Sequence, residues 1–174
     1  MLGLVMNTFA AGEAYDVRLV FDLDVGSPAD EGHVGYGWSR GERNPERSFR
    51  WIRALEADAT LMVNNVAEDD TDGVFHLAVL AAPYYVEGKR QNVGVFVNNT
   101  YVDEWVCDDG PDYHTYGVDI PKDMLKPGPN RLTLRMGYRQ KPHRGDTRRL
   151  ALAVDRIVVE YRTLAAAPVT ELEP

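Results

Sequence analysis

Tyr36 and Trp38 lie in a glycine-flanked stretch, Gly35-Tyr36-Gly37-Trp38-Ser39, and Tyr84 and Tyr85 follow Pro83. Tyr113 and Tyr116 stand beside the acidic run Cys107–Asp112, and Tyr138 precedes a long polar loop. Aromatic rings on loops differ from aromatics on alternating strand positions. They offer an apolar face together with a polar handle, which suits the C–H faces and hydroxyl edges of sugar rings. Tyr36 and Trp38 are the best candidates for such a platform, with a lid closing one end of the fold as the alternative for Trp38. Glu42 and Arg50 are the nearest planar polar groups in sequence, and Asp146 and Arg148 complete a second polar pair. A carboxylate and a guanidinium can bind sugar hydroxyls. They also form bidentate ion pairs, and buried charges are paired as a rule. The structural expectation is that Glu42, Asp146, Arg50 and Arg148 converge and tie the Trp38 loop to the edge of the fold. Trp51 and Trp105 sit within β-rich segments and are expected in the core.

No other constellation carries chemistry. The sequence has no phosphate-binding loop, no nucleophile elbow and no His-Glu-x-x-His. His33, His76, His114 and His143 are far apart, and no spacing suggests a metal site. No catalytic residue, metal ligand or cofactor is therefore assigned, and the chain is not expected to be an enzyme. Two acidic runs, Glu68–Gly73 and Cys107–Asp112, read as solvated hairpin tips. A structural calcium ion is the less favoured alternative, since neither run completes a known calcium loop. Asn98-Asn99-Thr100 is a formal glycosylation sequon that reads as a turn.

These residues need a scaffold, and composition bounds it. The chain has 174 residues with 19 basic and 27 acidic side chains, a formal charge of -8. A net acidic chain of this size is expected to form one domain that binds neither nucleic acid nor anionic membranes in bulk. Six arginines and one lysine against a single acid in 131–149 are expected to pair with acidic strands across a sheet. The lone Cys107 cannot form an internal disulfide. No apolar run approaches the ~18 residues of a membrane span. Residues 1–14 read as a short arm without an intact signal peptide, and 164–174 as a flexible tail.

Between those ends the dominant period is two. Val17, Leu19, Phe21 and Leu23 alternate with polar residues, as do Leu132, Leu134 and Met136. Further runs cover 48–52, 59–63, 74–82, 92–97, 101–106, 113–120 and 150–161, and a short helix could occupy 54–59. About nine strands separated by turn residues predict an all-β antiparallel sandwich over 15–163.

Three segments carry a resemblance. Val93–Asn98 (VGVFVN) with Tyr101, Val102 and Trp105, followed by Ile120-Pro121, Leu125, Pro127-Gly128 and Asn130-Arg131-Leu132, resembles the galactose-binding-like jelly roll. Carbohydrate-binding modules and the sugar-binding domains of family 2 glycoside hydrolases use that fold. The opening Gly37-Trp38-Ser39, Glu42 and Phe49-Arg50-Trp51, with the closing Asp146, Arg148 and Leu150, is similar to β-sandwich domains of bacterial membrane glycosyltransferases and other surface-polysaccharide proteins. The resemblance implies a non-catalytic carbohydrate-binding module, extracellular or on the cell surface, with Tyr36, Trp38, Glu42, Arg50, Asp146 and Arg148 as its ligand-binding set. The alternative is a structural or protein-interaction sandwich without a sugar site. No transmembrane or catalytic segment accompanies the motifs, so a transferase role is not implied.

Overall fold

A computed structural model of the chain describes residues 15–64, 73–108, 110–142 and 145–164. The proposed arm, the acidic stretch 68–72, Asp109 and His143 lie outside them, as does the proposed tail apart from Leu164. Ten strands run in chain order: β1 (Tyr15–Asp24), β2 (Glu42–Arg43), β3 (Ser48–Ile52), β4 (Glu56–Val63), β5 (Val74–Pro83), β6 (Gln91–Val97), β7 (Thr100–Cys107), β8 (His114–Ile120), β9 (Gly128–Met136) and β10 (Leu152–Leu164). The strand β2 was not expected, and β4 occupies most of the stretch read as a short helix. Its side chains alternate buried and half-buried along the strand, and that period of two overrides helical propensity.

Two antiparallel sheets result. One has the order β2-β3-β10-β5-β8, and the other β4-β9-β6-β7. From β3 onward the chain passes from sheet to sheet, with only the β6–β7 hairpin staying in one. Strand β10 holds the larger sheet together. Along one edge it pairs with β5; along the other it pairs with β3 through Leu152–Val154 and with β1 from Arg156 onward. The handover falls at Asp155, where the register with β5 slips by one residue and the backbone carbonyl accepts from Val25 N at 2.7 Å. The expected antiparallel sandwich is thus present.

Inward-facing residues of both sheets make one core. Val93, Val95 and Val97 meet Leu132 and Leu134 on one side, and Leu77, Val79, Ile157 and Val159 on the other. Trp105 is buried as expected; its ring stacks on Tyr116 at 6.0 Å and its indole N–H donates to Gly117 O at 3.1 Å. This bond joins β7 of one sheet to β8 of the other. The β6–β7 turn places Asn98 at φ 49° and Asn99 at φ 69°, the left-handed pair of a two-residue hairpin. The Asn98 amide donates to Met124 O and Asn130 Oδ1, both at 2.9 Å, so the sequon asparagine is a structural bracket. Among the described residues no helix is long and apolar enough to cross a membrane.

Candidate functional site

The outer face of the larger sheet carries an aromatic cleft. Its position follows from register. Trp51 on β3 pairs with Ala153 on β10, and Ala153 pairs with Ala82 on β5. Ala81 pairs with His114, which sets Tyr113 beside Ala82. Two small residues therefore lie between two large rings. With strands ~4.8 Å apart, the row spans roughly 14 Å. Phe49, Tyr84, Tyr85, Pro83, Pro111 and Asn44 complete a cleft of about 420 Å³. That volume falls within the range of small-molecule clefts, roughly 300–1,000 Å³.

The expectation that Trp51 is core is corrected here. In Phe49-Arg50-Trp51-Ile52, Arg50 points toward the buried Asp30 and Ile52 is fully buried. Alternation then turns Phe49 and Trp51 outward, where both are half-buried. Trp51 meets Phe49 edge-on at 6.3 Å and Tyr84 at 6.0 Å. Tyr84 is fixed by its own backbone: its N–H donates to Ala151 O at 2.8 Å, and its carbonyl accepts from the Tyr138 hydroxyl at 3.0 Å. One face of Tyr113 is covered by the Arg47 guanidinium, 4.2 Å from the ring centroid. Burial pushes the Tyr113 hydroxyl up to about 12, so it stays a neutral donor at ordinary pH. Asn44 Oδ1 accepts from the backbone N–H of Glu46 and Arg47, both at 2.9 Å. Its Nδ2 and the hydroxyls of Tyr84, Tyr85 and Tyr113 have no hydrogen-bond partner among the described residues. The cleft thus offers ring faces and unengaged neutral hydrogen-bonding groups side by side.

None of the six sequence-predicted residues lines this cleft. Arg148 collects two of them. It makes a bidentate pair with Asp146 and donates to Glu42 Oε1 at 2.5 Å. The Asp146 and Glu42 hydrogen bonds hold the Arg148 guanidinium firmly protonated, and those from Arg148 hold the Asp146 carboxyl below the usual carboxylate range. Arg50 does not join them. It forms a fork with Asp30 at 2.5 and 2.7 Å and donates to Ser39 O at 2.8 Å. Asp30 is fully buried and also accepts from Gly26 N at 2.6 Å. Sequence reading missed Asp30 because it sits in a polar loop, Ser27-Pro28-Ala29-Asp30. Its one visible signal was the Ser-Pro start of a short 3-10 turn, which Ser27 caps.

These bonds hold up the wall of the cleft. Ser39 N donates to Trp51 O at 2.8 Å, and Ser39 Oγ accepts from Trp51 N at 2.9 Å. Trp38 bridges to Ile52, and its indole N–H donates to Asp58 O at 2.7 Å. Trp38 is half-buried and packs against the core, whereas Tyr36 is 70% exposed. The Gly-Trp-Ser and Phe-Arg-Trp motifs are therefore two sides of one contact.

No protein-family model matches the chain, and no curated protein matches it. Solved structures are similar to it. The C-terminal CBM6 of LamC, a marine laminarinase from Zobellia galactanivorans, is 8% identical, with 83% of this chain and 98% of that one covered and a TM-score of 0.49. A family 35 carbohydrate-binding module from Clostridium thermocellum is 11% identical, with 83% and 97% covered and a TM-score of 0.48. BuGH86wt, solved in complex with neoagarooctaose, is 13% identical with a TM-score of 0.48; 90% of this chain is covered, but it spans only 20% of that chain.

Proposed function

We propose that the protein is a non-catalytic carbohydrate-binding module, acting outside the cell or at its surface, and that the aromatic cleft receives the sugar. The observation that carries this reading is the row Trp51, Ala153, Ala82, Tyr113. Two small, buried alanines lie between the outward-facing aromatics, and no large side chain stands on the row between the two rings. Stacking supplies affinity, and the neutral donors around it supply orientation. Glu42, Arg148, Asp146 and Arg50 act in this reading by holding β3 and its flanking loops in place.

The test is binding of soluble polysaccharides by affinity electrophoresis, with Ala153→Leu and Tyr85→Ala as variants. Leucine would fill the floor of the cleft, and Tyr85 is exposed enough to be removed without unfolding the chain. Tyr85→Ala should weaken retardation while keeping the parent melting temperature. Ala153→Leu should abolish it while remaining folded at a somewhat lower melting temperature, since Ala153 is buried. Aryl glycosides should not be turned over. The exposed ring of Tyr36 supports a second surface; Tyr36→Ala, with the cleft intact, should then be the variant that loses binding. Retention of a proline-rich peptide in the cleft, with no polysaccharide bound, would instead make this a protein-interaction module, since such peptides also dock on aromatic-lined grooves.

A further inference from the structure

Among the described residues, the cleft is lined by uncharged side chains alone. No Asp, Glu, Lys, Arg or His is among the described residues that line it, although charged residues are 26% of the chain. The neighbouring depression, about 470 Å³, is lined by Asp24, Arg43, Glu46, Arg47, Asp155 and Arg156. The two hollows are thus sorted by charge. We infer that the cleft takes an electrically neutral saccharide and needs no divalent cation to hold it. This rests on the carbohydrate-binding reading given above and narrows it.

Four observations support the inference. The cation in contact with Tyr113 is already compensated. Arg47 stacks on Tyr113 and pairs with Asp155 at 3.2 Å and Glu46 at 3.6 Å, so a uronate or sulfate would have to compete with two carboxylates. An anion laid against aromatic rings without a paired cation pays a desolvation cost that a neutral sugar avoids. The groups left for hydrogen bonding are neutral: Tyr84, Tyr85, Tyr113 and Asn44. A hard cation needs several oxygen ligands, usually carboxylates. Among the described residues the lining has no carboxylate, and no cluster of metal-ligating side chains occurs. The net charge of -8 adds long-range repulsion toward polyanionic glycans.

The full chain is tested on neutral polysaccharides (a β-glucan, a xylan, a mannan and a galactan), on uronate-bearing pectate and alginate, and on a sulfated carrageenan. Each is run at low salt and at about 0.5 M salt, where exposed charges are screened, with and without EDTA. The expected result is retention by at least one neutral polymer, with affinity changed less than about twofold by salt or EDTA. Tyr85→Ala should weaken that retention by about threefold to tenfold, the range of a lost aromatic contact. Retention by the acidic polymers alone, falling steeply with salt or abolished by EDTA, overturns the inference and leaves the carbohydrate-binding reading standing. Retention by no polysaccharide, with a proline-rich peptide bound, overturns both.

Discussion

Trp105 and Trp51 do different jobs, and strand alternation decides which. Trp105 faces inward and its N–H is used, so Trp105→Ala should cost about 3–5 kcal/mol in chemical denaturation. Trp51 faces outward, so Trp51→Ala should cost clearly less stability than Trp105→Ala while removing the binding proposed for the cleft. A comparison of the two unfolding midpoints checks this order. Asp30 is the most exacting polar residue. It is fully buried, and its carboxylate neutralises Arg50. Asp30→Ala strands a guanidinium and the Gly26 N–H together, and breaking such a pair costs about 3–5 kcal/mol. An Asp30→Ala protein that melts with the parent would refute the bracing role. At this scale the sequence was partly legible. The Glu42–Arg148–Asp146 cluster was readable because charged residues in loops tend to find opposite charges. The Arg50–Asp30 pair was not, because nothing in a Ser-Pro-Ala-Asp turn shows that its acid is buried.

Strands were easier to read than single side chains, because a period of two persists over many residues. The hairpin around Asn98 and Asn99 was visible for the same reason, with asparagine tolerating the left-handed backbone. What periodicity could not show was register, and the cleft is a product of register: Ala82 and Ala153 lie side by side only through the pairing with β10. The slip at Asp155 also leaves a strained charge. Burial raises the Asp155 carboxyl above its usual range, with Arg47 only partly opposing the shift. A group whose folded pKa is raised costs stability when ionised, and the cost is relieved as pH falls through the folded value. Asp155→Asn should therefore melt no lower than the parent at neutral pH, with its advantage shrinking in mildly acid solution. Thermal scans across pH distinguish this from a net-stabilising ion pair, whose loss would lower the melting temperature at neutral pH.

For the molecule as a whole, acid stability rests on two carboxylates held by arginine hydrogen bonds. Asp58 on β4 is partly buried, which alone would raise its pKa. The Arg131 and Thr133 hydrogen bonds, at 2.6 and 2.7 Å, hold it below the usual range instead. That stabilisation is complete above the unfolded carboxylate pKa of about 3.9 and is lost as pH falls below it toward the depressed folded value. Asp146 follows the same direction through Arg148. Unfolding monitored by tryptophan fluorescence should therefore show a steep loss of stability only below about pH 4.

The placing of β10 sets an order of events during synthesis. The strand that pairs with β1, β3 and β5 is the last of the ten to be made, and Arg156 reaches back across 134 residues to hydrogen-bond Asp22. Contacts this distant in sequence close slowly. Until β10 emerges, β1 and β3 have no shared neighbour, Trp51 has no Ala153 beside it, and the cleft has no floor. A nascent chain stopped before Leu152 can form the β6–β7 hairpin but cannot bind a ligand in the cleft. On the carbohydrate-binding proposal, capture by an immobilised polysaccharide would then report that β10 has been made and docked, and would separate chains that contain it from chains truncated before it.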